Sequence, residues 1–194
     1  MKKRKENRLH KGVVVKTLVL FICSYLVFLL VWMGVKDYYG MAITSVASHL
    51  VTLVKDVNLQ GIEKKRDIMG VWFVLEKYAL KNTVVNIDVT VSHFSFNAPL
   101  TFAIMAAFYP FLRKKRVYLE VLFLLIAVHL IYVFSLEGQR LTAVMMSKGY
   151  DKMSEIRLLL WGFLDGFVGS MVIRFEPFLI GAYLYFKEKA QVSP

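Results

Sequence analysis

Long apolar runs are the feature that most constrains how this chain can fold. Of its 194 residues, 57% are hydrophobic, more than the ~45–50% of a typical soluble domain. Several runs reach the ~20 residues that an α-helix needs to cross a bilayer. Because a segment inside lipid must satisfy its own backbone hydrogen bonds, these runs predict transmembrane helices. The sequence therefore predicts an all-α polytopic membrane protein with about four transmembrane helices.

Basic clusters orient the predicted spans. The chain carries 25 Lys and Arg against 14 Asp and Glu, a formal net charge of +11. Two clusters flank apolar runs, one within residues 1–16 and one at 113–116, Arg-Lys-Lys-Arg. Such clusters mark the cytoplasmic side of a membrane protein, so both termini are expected in the cytoplasm. The clusters lack interleaved aromatic residues, which argues against nucleic acid as a partner.

The run lengths divide the chain into successive segments. The first run, 13–35, exceeds the ~7–15 apolar residues of a cleavable signal peptide, and we interpret it as a retained anchor. The predicted order is a basic cytoplasmic tail 1–12, span one 13–35, an extracytoplasmic segment 36–95, span two 96–112, a basic cytoplasmic loop 113–116, span three 117–136, an extracytoplasmic loop 137–155, span four 156–186 and a cytoplasmic tail 187–194. This order predicts a multi-pass protein in the lipid of the cell inner membrane.

The segment 36–95 is too long to be a simple connection, so we expect it to have structure of its own. Apolar residues at helical spacing from Ile43 to Val57 predict an amphipathic helix. A short apolar run at 70–75 and strict alternation over 82–93 predict two strands, joined near Lys81-Asn82. A small helix and a β-hairpin are therefore expected between spans one and two.

Charged residues interrupt the last apolar run. Arg174 and Glu176 lie inside 156–186, where an intramembrane charge costs ~3 kcal/mol on insertion scales. Pro177 follows and has no N–H, so the carbonyl of Ile173 loses its helical partner. Charges at such depth are usually paired, and they are often functional.

Counting along the helices places His129 and Arg174 at one depth. Each is thirteen residues from a basic cytoplasmic boundary, or ~20 Å at 1.5 Å per residue. The two spans are antiparallel, so the two side chains are expected to meet. Glu176 lies about 200° around the helix from Arg174 and is expected to pair with another span. A functional polar site and a structural lock fit this pattern equally well.

Small residues form a stripe in span four. Gly162, Gly166 and Ser170 recur every four residues, and Gly169 and Asp165 share an adjoining face. Because lipid supplies no hydrophobic driving force between helices, small residues mark places where helix backbones approach closely. We interpret the stripe as a helix-packing seam, and Asp165 as a further buried polar candidate.

Motifs for several enzyme classes are absent from the sequence. No P-loop, HExxH, GxSxG or GxGxxG occurs, which argues against ATPases, zinc proteases, that class of serine hydrolases and dinucleotide enzymes. The one cysteine, Cys23, has no basic neighbour and is interpreted as an apolar filler. No Cys/His spacing typical of zinc sites occurs. We therefore predict no catalytic set, no metal and no cofactor.

The order of segments resembles that of the exosortase and archaeosortase membrane transpeptidases. A stretch of alternating strand character, Val84 to Phe94, runs directly into Asn97-Ala98-Pro99-Leu100 at the start of a span. The catalytic cysteine that this family carries near the junction is absent here. Cys23, His129 and Arg174 also differ in order and location from the cysteine, arginine and histidine of that family.

The chain is shorter than a full exosortase and more closely resembles the exosortase H-associated membrane proteins. The similarity covers span one, the strand segment, the Asn-Ala-Pro-Leu junction and the final spans. It implies a non-catalytic accessory protein of an exosortase-type protein-sorting system, with another integral membrane protein as partner. The alternative is an intramembrane enzyme or small-molecule transporter that uses His129, Arg174 and Glu176.

Overall fold

The computed structural model describes residues 2–75, 83–112, 114–147 and 155–192. The helices are α1 (Lys2–Val54), α2 (Val91–Ser95), α3 (Asn97–Phe108), α4 (Lys115–Ser147), α5 (Glu155–Phe167) and α6 (Ile173–Val192), with a π-helical turn at Val168–Val172. Strands β1 (Asn58–Lys65), β2 (Ile68–Leu75) and β3 (Thr83–Thr90) lie between α1 and α2. The fold is therefore mainly helical, with one small sheet.

Four helical segments are long and apolar enough to cross a membrane. They are Val13–Val54, Val91–Phe108, Lys115–Ser147 and Ile156–Lys189. Large apolar side chains such as Leu30, Leu119 and Phe178 are exposed on them. A surface of this kind is unfavourable in water and suits lipid. The predicted four-span α-helical membrane fold is confirmed. Cys23 is also exposed, on α1.

The first helix is longer than the sequence predicts. The predicted span 13–35 and the amphipathic helix that follows it are one continuous helix, which ends at Val54. Gly34 and Gly40 interrupt the apolar pattern, but an isolated glycine weakens a helix by only ~1 kcal/mol and does not end it. No proline occurs before Pro99, so nothing in this stretch forces a break.

The segment between the first two spans holds three strands, where the sequence predicts two. β2 pairs antiparallel with both β1 and β3, in the order β1-β2-β3. Alternation does not predict β1, because this strand has a register shift between Leu59 and Gly61 and its burial alternates only over residues 58–61. The predicted strand end at His93 is wrong, since Val91–Ser95 is helical. Lys81 and Asn82 lie outside the described residues.

The chain forms two compact units. The first comprises Met1–Gly34, Phe96–Leu122 and Glu176–Pro194, and the second comprises Val35–Ser95 and Phe123–Phe175. A small apolar cluster forms the core of the first unit: Leu112, Val117, Val121, Ile180 and Leu184. The larger core of the second unit includes the buried face of the sheet and residues of α1 and α4, such as Phe73, Ile87, Ala47 and Val133.

A two-residue turn, Arg66-Asp67, joins β1 to β2. Its Asp67 side chain forms hydrogen bonds with α1 and α2. Asp67 Oδ1 accepts a hydrogen bond from Lys36 Nζ at 3.0 Å, and Oδ2 accepts one from the Ser92 hydroxyl. Partial burial alone would raise the pKa of Asp67. The hydrogen bonds from Ser92 and Lys36 outweigh burial and lower that pKa below its ordinary value.

We expect Asp67→Asn to lower the free energy of unfolding by ~1 kcal/mol at neutral pH, since the ionised carboxylate is the form that Ser92 and Lys36 stabilise. A lowered pKa contributes stability above the ordinary value of about 3.9, and this contribution is lost as pH falls through the folded value. The gap between wild type and variant should therefore close below about pH 4. Thermal unfolding across pH checks this. Glu63→Gln, at an exposed ion pair with Lys65, should show no comparable gap.

Candidate functional site

His129 is fully buried in the second unit, in a cluster of aromatic rings. Its Nδ1 lies 2.7 Å from the hydroxyl oxygen of Tyr39 on α1. The rings of Phe94 and Tyr39 contact it edge to face, with centroids 5.5 Å and 5.7 Å away. His129 is thus a buried polar residue, as its place in an apolar run predicts, but its hydrogen-bond partner on α1 is not predictable from the sequence.

Arg174 and Glu176 differ sharply in burial. Arg174 is exposed on the second unit, whereas Glu176 is buried in the first. His129 is hydrogen-bonded to Tyr39, and no described contact joins it to Arg174. The apolar side chains of Met171 and Phe175 next to Arg174 are also exposed. A guanidinium among apolar side chains on a helix able to cross a membrane needs a polar counterpart.

The helix changes its hydrogen-bond pattern just before Arg174. Residues Val168–Val172 form a π-helical turn, and the N–H of Ile173 donates to the carbonyl of Val168. A π turn contains one extra residue, so it rotates the following side chains by about 100° relative to a uniform α-helix. The spacing that places Asp165 and Glu176 on one face of a regular helix is therefore not maintained. Isolated π turns are frequent at functional sites.

Asp165 lies near three residues that sequence analysis does not connect with it. It is half-buried on α5, within electrostatic range of Arg140, His93 and Tyr132. His93 stacks on Tyr132 with ring centroids 5.6 Å apart. Arg140 Nη1 donates a hydrogen bond to the carbonyl of Asp88 at 2.7 Å. These four side chains form a polar cluster where α2, α4 and α5 approach one another.

Buried polar contacts join α1 to α4. Ser48 Oγ of α1 lies 2.9 Å from Glu137 Oε1, and Lys55 Nζ, one residue past the end of α1, donates to Thr142 Oγ1 at 2.6 Å. All four residues are buried. Partner numbers rise together along both helices, so the C-terminal halves of α1 and α4 run parallel. Glu137 is not distinguished by the sequence, because it falls at the end of an apolar run, where an acid at the membrane boundary is common.

The small residues of span four divide into two groups. Gly162, Gly166 and Ser170 are exposed, and a Cβ at Gly162 or Gly166 would meet no atom within 4 Å. A Cβ at Gly169, in contrast, would lie 3.0 Å from a ring carbon of Tyr132. Gly169 therefore allows close packing inside the second unit, whereas Gly162 and Gly166 face open space.

Within the described ranges, no group of three or more His, Cys, Asp or Glu side chains is placed to hold a metal ion. Comparison with protein-family models, with curated proteins and with solved structures finds no match. Two features of this chain's own geometry bear on its function: the exposed small-residue stripe and the buried polar contacts.

Proposed function

We propose that this chain is a non-catalytic integral membrane accessory protein of an exosortase-type protein-sorting system, in the bacterial inner membrane with both termini in the cytoplasm. The observation that supports this best is one face of the last long helical segment. On it Gly162, Gly166, Ser170 and Arg174 follow at four-residue spacing, and all four are exposed. Three such steps drift by about 120° around a uniform α-helix, and the extra residue of the π turn offsets about 100° of this drift, so Arg174 stays on the face of the small residues. We call these four residues the docking face. The order of segments supports the sorting system as its setting.

The docking face has the composition of a helix–helix interface in lipid. Association of transmembrane helices depends on close backbone approach and van der Waals packing, which glycine and serine allow. Gly162 and Gly166 contact nothing within the described chain that would require glycine. A helix of another protein would explain why residues this small occupy these positions.

Arg174 restricts the chemistry of the partner. Two copies of this chain in one membrane have the same orientation, so a two-fold packing of their docking faces would be parallel and would bring the two Arg174 side chains together. Like charges at an interface are strongly disfavoured. The face therefore suits a different integral membrane protein, whose helix has small residues and a carboxylate at the level of Arg174.

The sheet offers a second surface for the same role. Trp72 and Val84 lie on its less buried side, next to residues 60–63 of β1, and together they line a shallow groove. In the proposed orientation this groove faces away from the cytoplasm. It is available to the partner or to a sorted substrate.

We expect Gly166→Leu to reduce co-purification of the partner by at least about tenfold, because a bulky side chain prevents close helix approach. The abundance and unfolding midpoint of the variant should stay near wild type, since its Cβ meets open space. Gly34→Leu is the matched control: Gly34 is also exposed, with nothing within 4 Å, and lies off the docking face. Quantitative mass spectrometry of complexes extracted from native membranes makes the measurement. Equal partner recovery from both variants would contradict the proposal.

The polar cluster around Asp165 favours the second candidate, an intramembrane enzyme or transporter. Acid, base and cation gathered at one place are typical of active sites. Arg174→Ala separates the two functions. An accessory protein should lose its partner, whereas an enzyme or transporter using Arg174 should lose turnover while the complex and the protein still accumulate.

A further inference from the structure

Glu137 is a buried acid that the proposed function does not use. Its side chain is 0% exposed, and Oε2 has no hydrogen-bond partner among the described residues. Among the described residues, the Ser48 hydroxyl is the one polar group within hydrogen-bond distance of its carboxyl oxygens. A carboxylate so far from water is strongly unfavourable unless a positive charge accompanies it.

The contacts of Ser48 point to such a charge. Its hydroxyl oxygen lies 2.8 Å from the carbonyl oxygen of Thr44 and 2.9 Å from Glu137 Oε1. A hydroxyl has one hydrogen, which cannot point straight at both acceptors. Serines inside helices often donate to the carbonyl four residues earlier. The approach of Glu137 to Ser48 is then explained by a proton on the carboxyl group or by a cation between the oxygens.

A second buried oxygen lies one helical turn away. Thr44 is 0% exposed, and its Oγ1 has no hydrogen-bond partner within the described part of the chain. Thr44 and Ser48 are four residues apart and so share one face of α1. The available donors are therefore two hydroxyls and a carboxylate. All are oxygens, the ligands that hard cations prefer.

The surrounding charged groups have other contacts. Just after α1, Lys55 donates to Thr142 and lies 5.0 Å from the ring centre of Trp161 on α5. On α4, Arg140 is exposed and donates to the carbonyl of Asp88 on β3. Asp165 of α5 is in electrostatic range of Arg140 and His93. None of these groups forms a described contact with Glu137.

We propose that Glu137, Thr44 and Ser48 form a buried site for a monovalent cation, either a proton or a sodium ion. The bound charge neutralises the carboxylate and gives Oε2 and Thr44 Oγ1 a partner. It thereby stabilises the contact between α1 and α4 in the second unit. None of these three residues belongs to the docking face. A failure of the cation-site prediction and a failure of the docking prediction can therefore be told apart.

The first test follows thermal unfolding of the full chain in detergent by tryptophan fluorescence, at several pH values, in sodium chloride and in choline chloride of equal ionic strength. Above about pH 5 an unfolded glutamate is ionised, so the folded chain binds a cation that the unfolded chain releases. In choline chloride the midpoint should therefore fall by at least ~5 °C as pH rises toward 9. If sodium is the ligand, sodium chloride restores the midpoint at high pH. If only a proton binds, the midpoint falls equally in the two salts.

Glu137→Gln is the decisive variant, because a neutral amide needs no cation. It should remove the dependence on pH and on sodium, whereas Glu63→Gln on the exposed strand β1 should keep both. Thr44→Val deletes one oxygen and nearly preserves shape. It should raise the half-saturating sodium concentration by ~10-fold if sodium binds, and leave the pH profile in place if a proton does.

An infrared measurement covers the case in which Glu137→Gln does not fold. Wild type binding a proton should show the carbonyl stretch of a protonated carboxyl group near neutral pH, and sodium should not alter it. Wild type binding sodium should lose that band when sodium is added. The proposal is overturned if wild type shows neither the band nor any effect of sodium, or if Glu137→Gln unfolds with the same pH and sodium dependence as wild type.

Discussion

Replacing Phe94 with alanine should lower the free energy of unfolding by ~3–5 kcal/mol, the usual cost of truncating a fully buried phenylalanine. The side chain is 0% exposed. Its ring lies 6.5 Å, 5.5 Å and 6.0 Å, centroid to centroid, from the rings of Tyr39, His129 and Tyr132. Removing it opens a cavity beside the hydrogen bond that joins Tyr39 to His129. Unfolding in detergent, by heat or denaturant, measures the loss.

Phe96 provides the matched control, because it is the same residue type two positions later and is 59% exposed. Phe96→Ala removes the same atoms from a site that already faces the surroundings. We expect a loss below ~1 kcal/mol. Similar losses for the two variants would mean that Phe94 is not a core residue.

Gly138→Ala should also destabilise the protein strongly, by ~1–3 kcal/mol or more. A Cβ at this position would overlap a ring carbon of Trp161, so the indole must move. Lys55 Nζ lies over the same indole, and the Gly138 carbonyl accepts a hydrogen bond from Thr142 at 2.6 Å. Displacing Trp161 therefore disturbs a buried polar contact as well as apolar packing.

Gly162→Ala is the control for this overlap. Its Cβ would meet nothing within 4 Å, and alanine is favoured over glycine inside a helix by ~1 kcal/mol. We expect this variant to be as stable as wild type or more so. Combining Gly138→Ala with Trp161→Leu should recover part of the loss, because the smaller side chain makes room. A Gly138→Ala protein as stable as wild type would rule out the close contact.

The helices and two of the three strands follow from physics that one sequence displays. A long apolar run needs a helix wherever lipid surrounds it, and alternation over β3 predicts a strand with one buried face. The strand β1 is not predictable in this way, because its burial depends on pairing with β2. The glycine at position 40 of α1 is likewise explained by packing, because a Cβ there would lie 2.6 Å from a side-chain carbon of Val91.

The candidate site is less predictable than the fold. Burial of His129 and Glu176 is consistent with the cost of placing polar groups in an apolar run, but their partners depend on which helices meet. The parallel contact of α1 with α4, which brings Ser48 to Glu137, joins residues 89 positions apart. The π turn before Arg174 adds a residue without any distinctive sequence, so helical periodicity alone places the side chains around it incorrectly.

Cys23 makes association between copies directly visible. It is the chain's one cysteine, and it is exposed on α1. Every disulfide that this protein forms with itself must therefore join two molecules. A band of doubled mass on a non-reducing gel would record encounters between first helices in native membranes, without any engineered residue, and the same thiol accepts a single spin label or fluorophore.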